Sequence, residues 1–359
     1  MKKLFTILAV AATLVSCAKE DVVREAAREA IGFDNAFVEN STRSVNDPSF
    51  SSAEGGKMFS DFAVYGFVEG AVLLDGVRVA KENLAEDQTK TGWEYEGTQY
   101  WIAGANYNFN AVAPLTGGGW AKTAADATST TLSFTNNGTT DLLYAFATAQ
   151  GKAEKNDPVA FTFRHTLSKV KLSFENAYNA TNATIRVKDV KIVDAYKTGS
   201  VVLTGATAWS NQAKADGFVL DFGMATDDQA TTNSNENVEV AFAYGKTYES
   251  QNELFMIPGA GATPFTVKNG ETTTQKTGYT VTFTVELLVS NVVVATYPHT
   301  IYTDFAPGAG NSYDLKATIN AENIDPNHAQ EPIEFTVTSI DGWDTDYNDG
   351  ADGDNNINM

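Results

Sequence analysis

A chain of 359 residues, 43% hydrophobic and 19% charged, is long enough for two globular domains and too apolar for a disordered protein. Its formal charge of −20 becomes more negative by two if Met1 to Ser16, with Lys2 and Lys3, is removed. A balance this acidic argues against nucleic acid and against anionic lipid headgroups as partners.

The first 17 residues read as a secretory signal. Lys2 and Lys3 precede an apolar run from Leu4 to Val15 that is too short to span a bilayer. Leu14-Val15-Ser16-Cys17 then looks like the lipobox of bacterial lipoproteins. Cys17 is the only cysteine, so it has no disulfide partner in an exported chain, which favours lipidation over a stray thiol. Residues 18–30 are charged and helix-prone and read as a tether. Ile31, Phe33 and Phe37 alternate through a first strand, Ile31 to Glu39, which runs into Thr42-Arg43-Ser44 and a turn-rich loop.

Phe62 to Val68 reads as a buried strand, and Val72 to Val79 as another that carries the turn signal Asp75-Gly76. Trp93, Tyr95, Tyr100 and Trp101 lead into an alternating strand from Tyr107 to Pro114. Gly117-Gly118-Gly119 reads as a flexible loop, and Asp141-Leu142-Leu143-Tyr144-Ala145 follows ahead of the next strand.

The pattern changes phase in the stretch Val159 to Phe174. Phe161, Phe163 and Leu167 share one face with His165 between them, whereas Val170, Leu172 and Phe174 take over after Ser168. Side chains alternate with period two, so one flat strand cannot bury both sets on one side. Two strands, or one sharply bent, are expected, with the switch near Thr166 to Lys169 marking the joint between two β domains. Further strands follow at Ile185–Val193, Val201–Leu203, Val238–Ala243, Leu254–Ile257, Tyr313–Ile319 and Ile333–Val337. Ser290-Asn291 is the expected turn of a hairpin between Val281–Val289 and Val292–Tyr297. Residues 344–359 form an acidic, Asn-rich tail. The expected organisation is thus signal 1–17, tether 18–30, N-terminal β-sandwich 31–165, C-terminal β-sandwich 166–343 and tail 344–359.

Catalytic constellations are scarce, and no enzyme activity is expected. His165, His299 and His328 do not stand at metal-ligand spacing, and His165 reads as a structural hydrogen-bonding residue. No nucleophile elbow or phosphate-cradling glycine loop occurs. Asp344, Asp346, Asn348 and Gly350 approach a calcium loop, but the glycine falls one place late and no Glu closes it, so no metal or cofactor is expected. Trp93, Tyr95, Tyr100 and Trp101 are candidates for stacking on sugar rings; the competing reading places them in the core.

Several segments, in order along nearly all of the mature chain, resemble the fimbrillin family of Bacteroides-type bacteria, the type V pilins and their surface-lipoprotein relatives. They are Ile31-x-Phe33 with Thr42-Arg43-Ser44; Tyr100-Trp101 with Tyr107-x-Phe109-x-Ala111-x-Ala113-Pro114; Asp141-Leu142-Leu143-Tyr144-Ala145; and Phe163-Arg164-His165-Thr166-Leu167-Ser168-Lys169-Val170. The second half adds Met256-Ile257-Pro258-Gly259, Pro307-Gly308 with Asn311-Ser312-Tyr313-Asp314-Leu315, and Ile333-x-Phe335-x-Val337 before Trp343.

The resemblance implies an all-β fold of two β-sandwich (transthyretin-like) domains in tandem, and a fimbrial, adhesive subunit at the outer membrane. Cys17 would carry the lipid (palmitate among its acyl chains), and Lys19-Glu20-Asp21 is similar to the surface-export signal of such lipoproteins. A trypsin-like, Arg-specific protease would cut between Arg43 and Ser44. The strand bearing Ile31, Phe33 and Phe37 would then leave, and a strand from another subunit, like or unlike, would fill its groove. The residues after Trp343 carry five aspartates and cannot fill apolar pockets, so either the strand of Ile333, Phe335 and Val337 is the donor or this subunit accepts a strand without donating one. The competing expectation is a monomeric, lipid-anchored β-sandwich adhesin that binds glycan or host protein.

Overall fold

The computed structural model describes residues 29–38, 61–80, 93–204, 207–215, 218–222, 241–250, 253–269, 272–324 and 335–342. In chain order the strands are β1 (Phe33–Val38), β2 (Asp61–Val68), β3 (Ala71–Ala80), β4 (Glu94–Tyr95), β5 (Asn106–Ala113), β6 (Trp120–Ala125), β7 (Thr130–Thr135), β8 (Leu143–Gln150) and β9 (Val159–His165). The second half contributes β10 (Ser168–Asn176), β11 (Ala183–Ile192), β12 (Thr198–Leu203), β13 (Thr207–Ala213), β14 (Leu220–Asp221), β15 (Phe242–Ala243), β16 (Thr247–Glu249) and β17 (Leu254–Met256). Then come β18 (Thr263–Asn269), β19 (Thr272–Val289), β20 (Val292–Thr303), β21 (Asn311–Ile319), the short helix α1 (Ala321–Ile324) and β22 (Phe335–Gly342).

The fold is all-β. The first unit is built on a seven-stranded sheet in the order β1-β9-β8-β5-β2-β3-β4. Its interior strand β2 is an apolar run from Phe62 to Val68, as a strand covered on both faces must be. Phe62 and Val64 point into one core with Leu74, Phe109, Phe161 and Phe163, whereas Ala63, Tyr65 and Phe67 point into another with Leu132, Phe134, Val201 and Leu203. All members of the first core come from this one sheet and its immediate extensions. The sheet therefore curls upon itself, and a bridge from Trp93, next to β4, to Phe33 at the start of β1 closes the curl.

The second core lies between this sheet and a four-stranded one in the order β13-β12-β7-β6. That sheet mixes both halves of the chain: β6 and β7 precede residue 165, and β12 and β13 follow it. The hydrogen-bonded sheets are thus not partitioned at the boundary expected between residues 165 and 166.

Asp75-Gly76 does not turn the chain. Gly76 (φ +69°) is the extra residue of a bulge within β3, and the β2–β3 hairpin turns instead at Glu69-Gly70. Nor is Gly117-Gly118-Gly119 a loose loop. A Cβ on Gly118 would lie 2.0 Å from the carbonyl oxygen of Pro114, so only glycine lets Trp120 Nε1 donate to that oxygen at 2.7 Å.

The phase switch in Val159 to Phe174 is a passage between units. Val159, Phe161, Phe163 and His165 are buried on one face of β9, the chain turns at Thr166-Leu167, and β10 enters a different sheet. Leu167 leaves the company of Phe161 and Phe163 for the core under the four-stranded sheet. The turn is pinned by Thr166 N donating to Leu142 O, by Trp209 Nε1 donating to Thr166 O, and by Ser168 Oγ donating to Gly308 O. His165 makes the hydrogen bond expected of it: its Nδ1 pairs with Asp141 Oδ2 at 2.5 Å, both side chains being buried.

The second unit is a sandwich. One sheet runs β16-β10-β21-β22, with β17 also on β10; the other runs β14-β11-β19-β18, with β15 on β11 and β20 on β19. Val170, Leu172, Phe174, Val281, Phe283, Val285, Leu315 and Ala317 fill the space between them. Ser290 and Asn291, both at positive φ, make the expected β19–β20 turn. Among the described residues β22 pairs only with β21, antiparallel, and forms one border of its sheet.

Candidate functional site

The feature of the first unit that bears on function is the slot occupied by its first strand. Backbone pairing of β1 with β9 is parallel, from Phe33–Val159 to Val38–Phe163, with a bulge between Asp34 and Ala36. Beyond the bulge Ala36, Phe37 and Val38 pair in register with Phe161, Thr162 and Phe163.

Ile31 and Phe33 are 1% and 3% exposed. The Phe33 ring stacks on Phe161 at 5.8 Å and meets Tyr95 and Phe109 edge-on at 5.3 and 5.9 Å. Burying each side chain stabilises by about 1.5–3 kcal/mol, and aromatic pairs add about 0.5–1.5 kcal/mol. The slot is therefore apolar and shaped for an aromatic ring two residues after an aliphatic one.

The beginning of the strand is held from two sides. Val159 N donates to Gly32 O on the β9 side at 2.8 Å. On the other side Ile31 N donates to Gln99 O at 2.8 Å, and Trp101 N donates to Glu29 O at 3.0 Å, an antiparallel bridge centred on Ala30 and Tyr100. The Tyr95 hydroxyl donates to Ile31 O at 2.9 Å and accepts from Gln99 N; burial pushes its pKa up, so it stays a donor. The Glu29 carboxylate accepts from the Asn156 side chain at 3.0 Å and from Asn156 N at 2.6 Å. Those two hydrogen bonds hold Glu29 below the usual carboxylate range. Asn156 is itself fixed by Lys152 N donating to its Oδ1.

Glu29 and Ala30, inside the stretch read as tether, thus make contacts with the first unit. Glu29, Gln99 and Asn156 carried no local signal in the sequence, because each acts on a partner dozens of residues away. Ile31 and Phe33 did carry one, their alternation.

The aromatic candidates for sugar stacking do not form an exposed platform. Trp93 and Trp101 are buried, Tyr95 is half-buried under Ile31, and Tyr100 alone is well exposed, at 46%. Phe335 of β22 packs on Phe174 and Phe283 of its own sandwich, with Val337 half-buried beside the same core. Cys17, Arg43, Ser44, Ile333, Asp344, Asp346 and Asn348 lie outside the described residues, as does His328. Among the described residues no group of three or more His, Cys, Asp or Glu side chains is placed to hold a metal ion. No helix there is long and apolar enough to cross a membrane.

A family model described as fimbrillin-like matches residues 42–343. The chain belongs to the fimbrillin-like family. Comparison with curated proteins gives no match. Among solved structures, a protein assigned to cell adhesion from Bacteroides uniformis is similar at 14% identity and a TM-score of 0.45, over 89% of this chain and 99% of that one. A second, from Bacteroides ovatus, is 14% identical with a TM-score of 0.43, covering 88% and 98%. The fimbrial anchor protein Mfa2 from Porphyromonas gingivalis is 11% identical with a TM-score of 0.36, covering 88% and 97%.

Proposed function

We propose that this fimbrillin-like protein is a cell-surface fimbrial subunit, serving adhesion, that assembles by exchange of its first strand. Lipidated Cys17 holds it at the outer membrane until an Arg-specific protease cuts between Arg43 and Ser44. Removal of the first strand then offers the slot to a strand from another subunit. The observation that carries this reading is the placement of Ile31 and Phe33. They belong to a strand at the chain's beginning yet complete the core of the curled sheet, so their loss exposes the edge of β9 and an aromatic cavity together. An unpaired ladder beside empty side-chain pockets is what strand addition fills. The chain's own Ile333-x-Phe335 repeats the spacing of Ile31-x-Phe33.

A trace of an Arg-specific protease tests the reading. The expected product begins at Ser44 and forms ladders on an undenatured gel, and Arg43→Ala abolishes both. An intact monomer after long exposure would sink the proposal.

A second reading, a lipid-anchored adhesin that does not polymerise and binds glycan or host protein, has its own support. β22 is built into its own sandwich through Phe335, and the segment after it is acidic. A subunit that accepts a strand but keeps its last one would terminate or anchor a fibre.

A further inference from the structure

The bonding of the first strand is lopsided. From Glu29 to Phe33 the backbone is gripped on both sides, by β9 and Gly32–Val159 on one and by the Trp93–Trp101 segment on the other. Among the described residues, the backbone pairing of Asp34 to Val38 is with β9 alone, and a bulge interrupts it. Arg43 follows the weaker end. A cut there therefore frees the one-sided half and leaves intact the two-sided half, with its buried Ile31 and Phe33.

We propose that Glu29, Tyr95 and Asn156 form a clasp that retains the first strand after the chain has been cut, so that the strand leaves by displacement, peeling from Val38 toward Glu29. This rests on the reading that the first strand is the piece that departs. Three groups do the holding. The Tyr95 hydroxyl, half-buried and fixed by Gln99 N, bonds the carbonyl between the two core side chains. The Glu29 carboxylate receives two hydrogen bonds from Asn156, and charge-assisted bonds of this kind are the stronger ones. Asn156 is 7% exposed and tied to Lys152 N, so it does not have to be ordered to bind. An incoming strand can pair with β9 from the bulged end while the clasp still holds the outgoing one. The aromatic core is then never open to water along its whole length. The clasp thereby couples release of the old strand to arrival of the new, and makes Glu29, Tyr95 and Asn156 positioning residues for exchange.

The test uses the full chain with a site-specific protease sequence inserted after Arg43. After cutting, the N-terminal fragment of the wild type is expected to co-elute with the body in gel filtration. Its Ile31 amide should stay protected from hydrogen exchange while the amides near Val38 exchange. Glu29→Ala and Tyr95→Phe should each speed fragment release about three- to tenfold, the range a lost hydrogen bond gives, with Tyr302→Phe, at an exposed tyrosine of the other unit, unchanged. Thermal melts of the uncut variants identify any that fail to fold, and Asn156→Asp, which sets a second carboxylate against Glu29, then provides an independent variant expected to release faster. A wild-type fragment that falls away at once, or release rates equal in wild type and clasp variants, overturns the proposal, even if ladders form. A fragment retained in a clasp-dependent way with no ladder at any time upholds it while the fibre reading fails.

Discussion

The first and last described strands of this molecule occupy opposite kinds of position. β1 enters the closed side of a curled sheet, bonded on two flanks at its start, with Ile31 and Phe33 almost wholly buried. β22 lies along the border of a sandwich, paired only with β21 among the described residues, with Phe335 and Val337 half-buried. The difference teaches that terminal strands are not equivalent as removable parts. Taking away the first opens a core; taking away the last uncovers one.

Substitutions can break or sharpen that contrast. Phe33→Ala should produce the largest effect, a loss of about 3–5 kcal/mol in denaturant unfolding, because the surrounding rings hold their places and leave a cavity. Gly118→Ala should follow, at about 1–3 kcal/mol, since its Cβ meets backbone that cannot yield. Phe335→Ala should cost less than Phe33→Ala, about 1–3 kcal/mol, because its half-exposed site can admit water in place of the ring. A larger loss at Phe335 than at Phe33 would reverse the comparison.

The smallest expected effect concerns pH and the second unit alone. His299 stacks on Phe283 at 5.2 Å, and burial lowers its pKa below the usual histidine value. The unfolded chain therefore binds this proton first. The contribution of His299 is full above the ordinary histidine range of about 6.5 and is lost as pH falls through and below it. A melting temperature of the second unit that declines from pH 7 to pH 5, and a decline that His299→Phe removes, would show the effect. At lower pH the first unit should respond through Asp61. Its burial raises the pKa, yet hydrogen bonds from Thr116 and Arg78 outweigh this and hold it below the carboxylate range. That contribution is present at neutral pH and is lost only as pH drops below the usual carboxylate values.

Much of this was legible in the residues. The phase change between Phe163 and Val170 announced two strands, because a period of two tolerates no slip. Ser290-Asn291 announced its hairpin, and the run Phe62 to Val68 announced a buried strand. The four-stranded sheet was harder to see. β6 (WAKTAA) and β13 (TAWSNQA) each bring one large apolar residue to the core and are otherwise small or polar, so a pattern search passes over them. Asp75-Gly76 misled because a positive φ at glycine serves a bulge as well as a turn. The closure of the curled sheet was invisible for a further reason. Glu29 meets Asn156, and Phe33 meets Trp93, across distances in sequence that no local spacing encodes.

The seam between β7 and β12, paired from Thr130–Leu203 to Thr135–Thr198, governs how the molecule bears load. Traction on one half cannot simply straighten a linker, because the two halves are stitched by a ladder whose bonds must shear together. A pull that separates the two halves of the chain must therefore break this ladder as well as extend the connection at Thr166-Leu167.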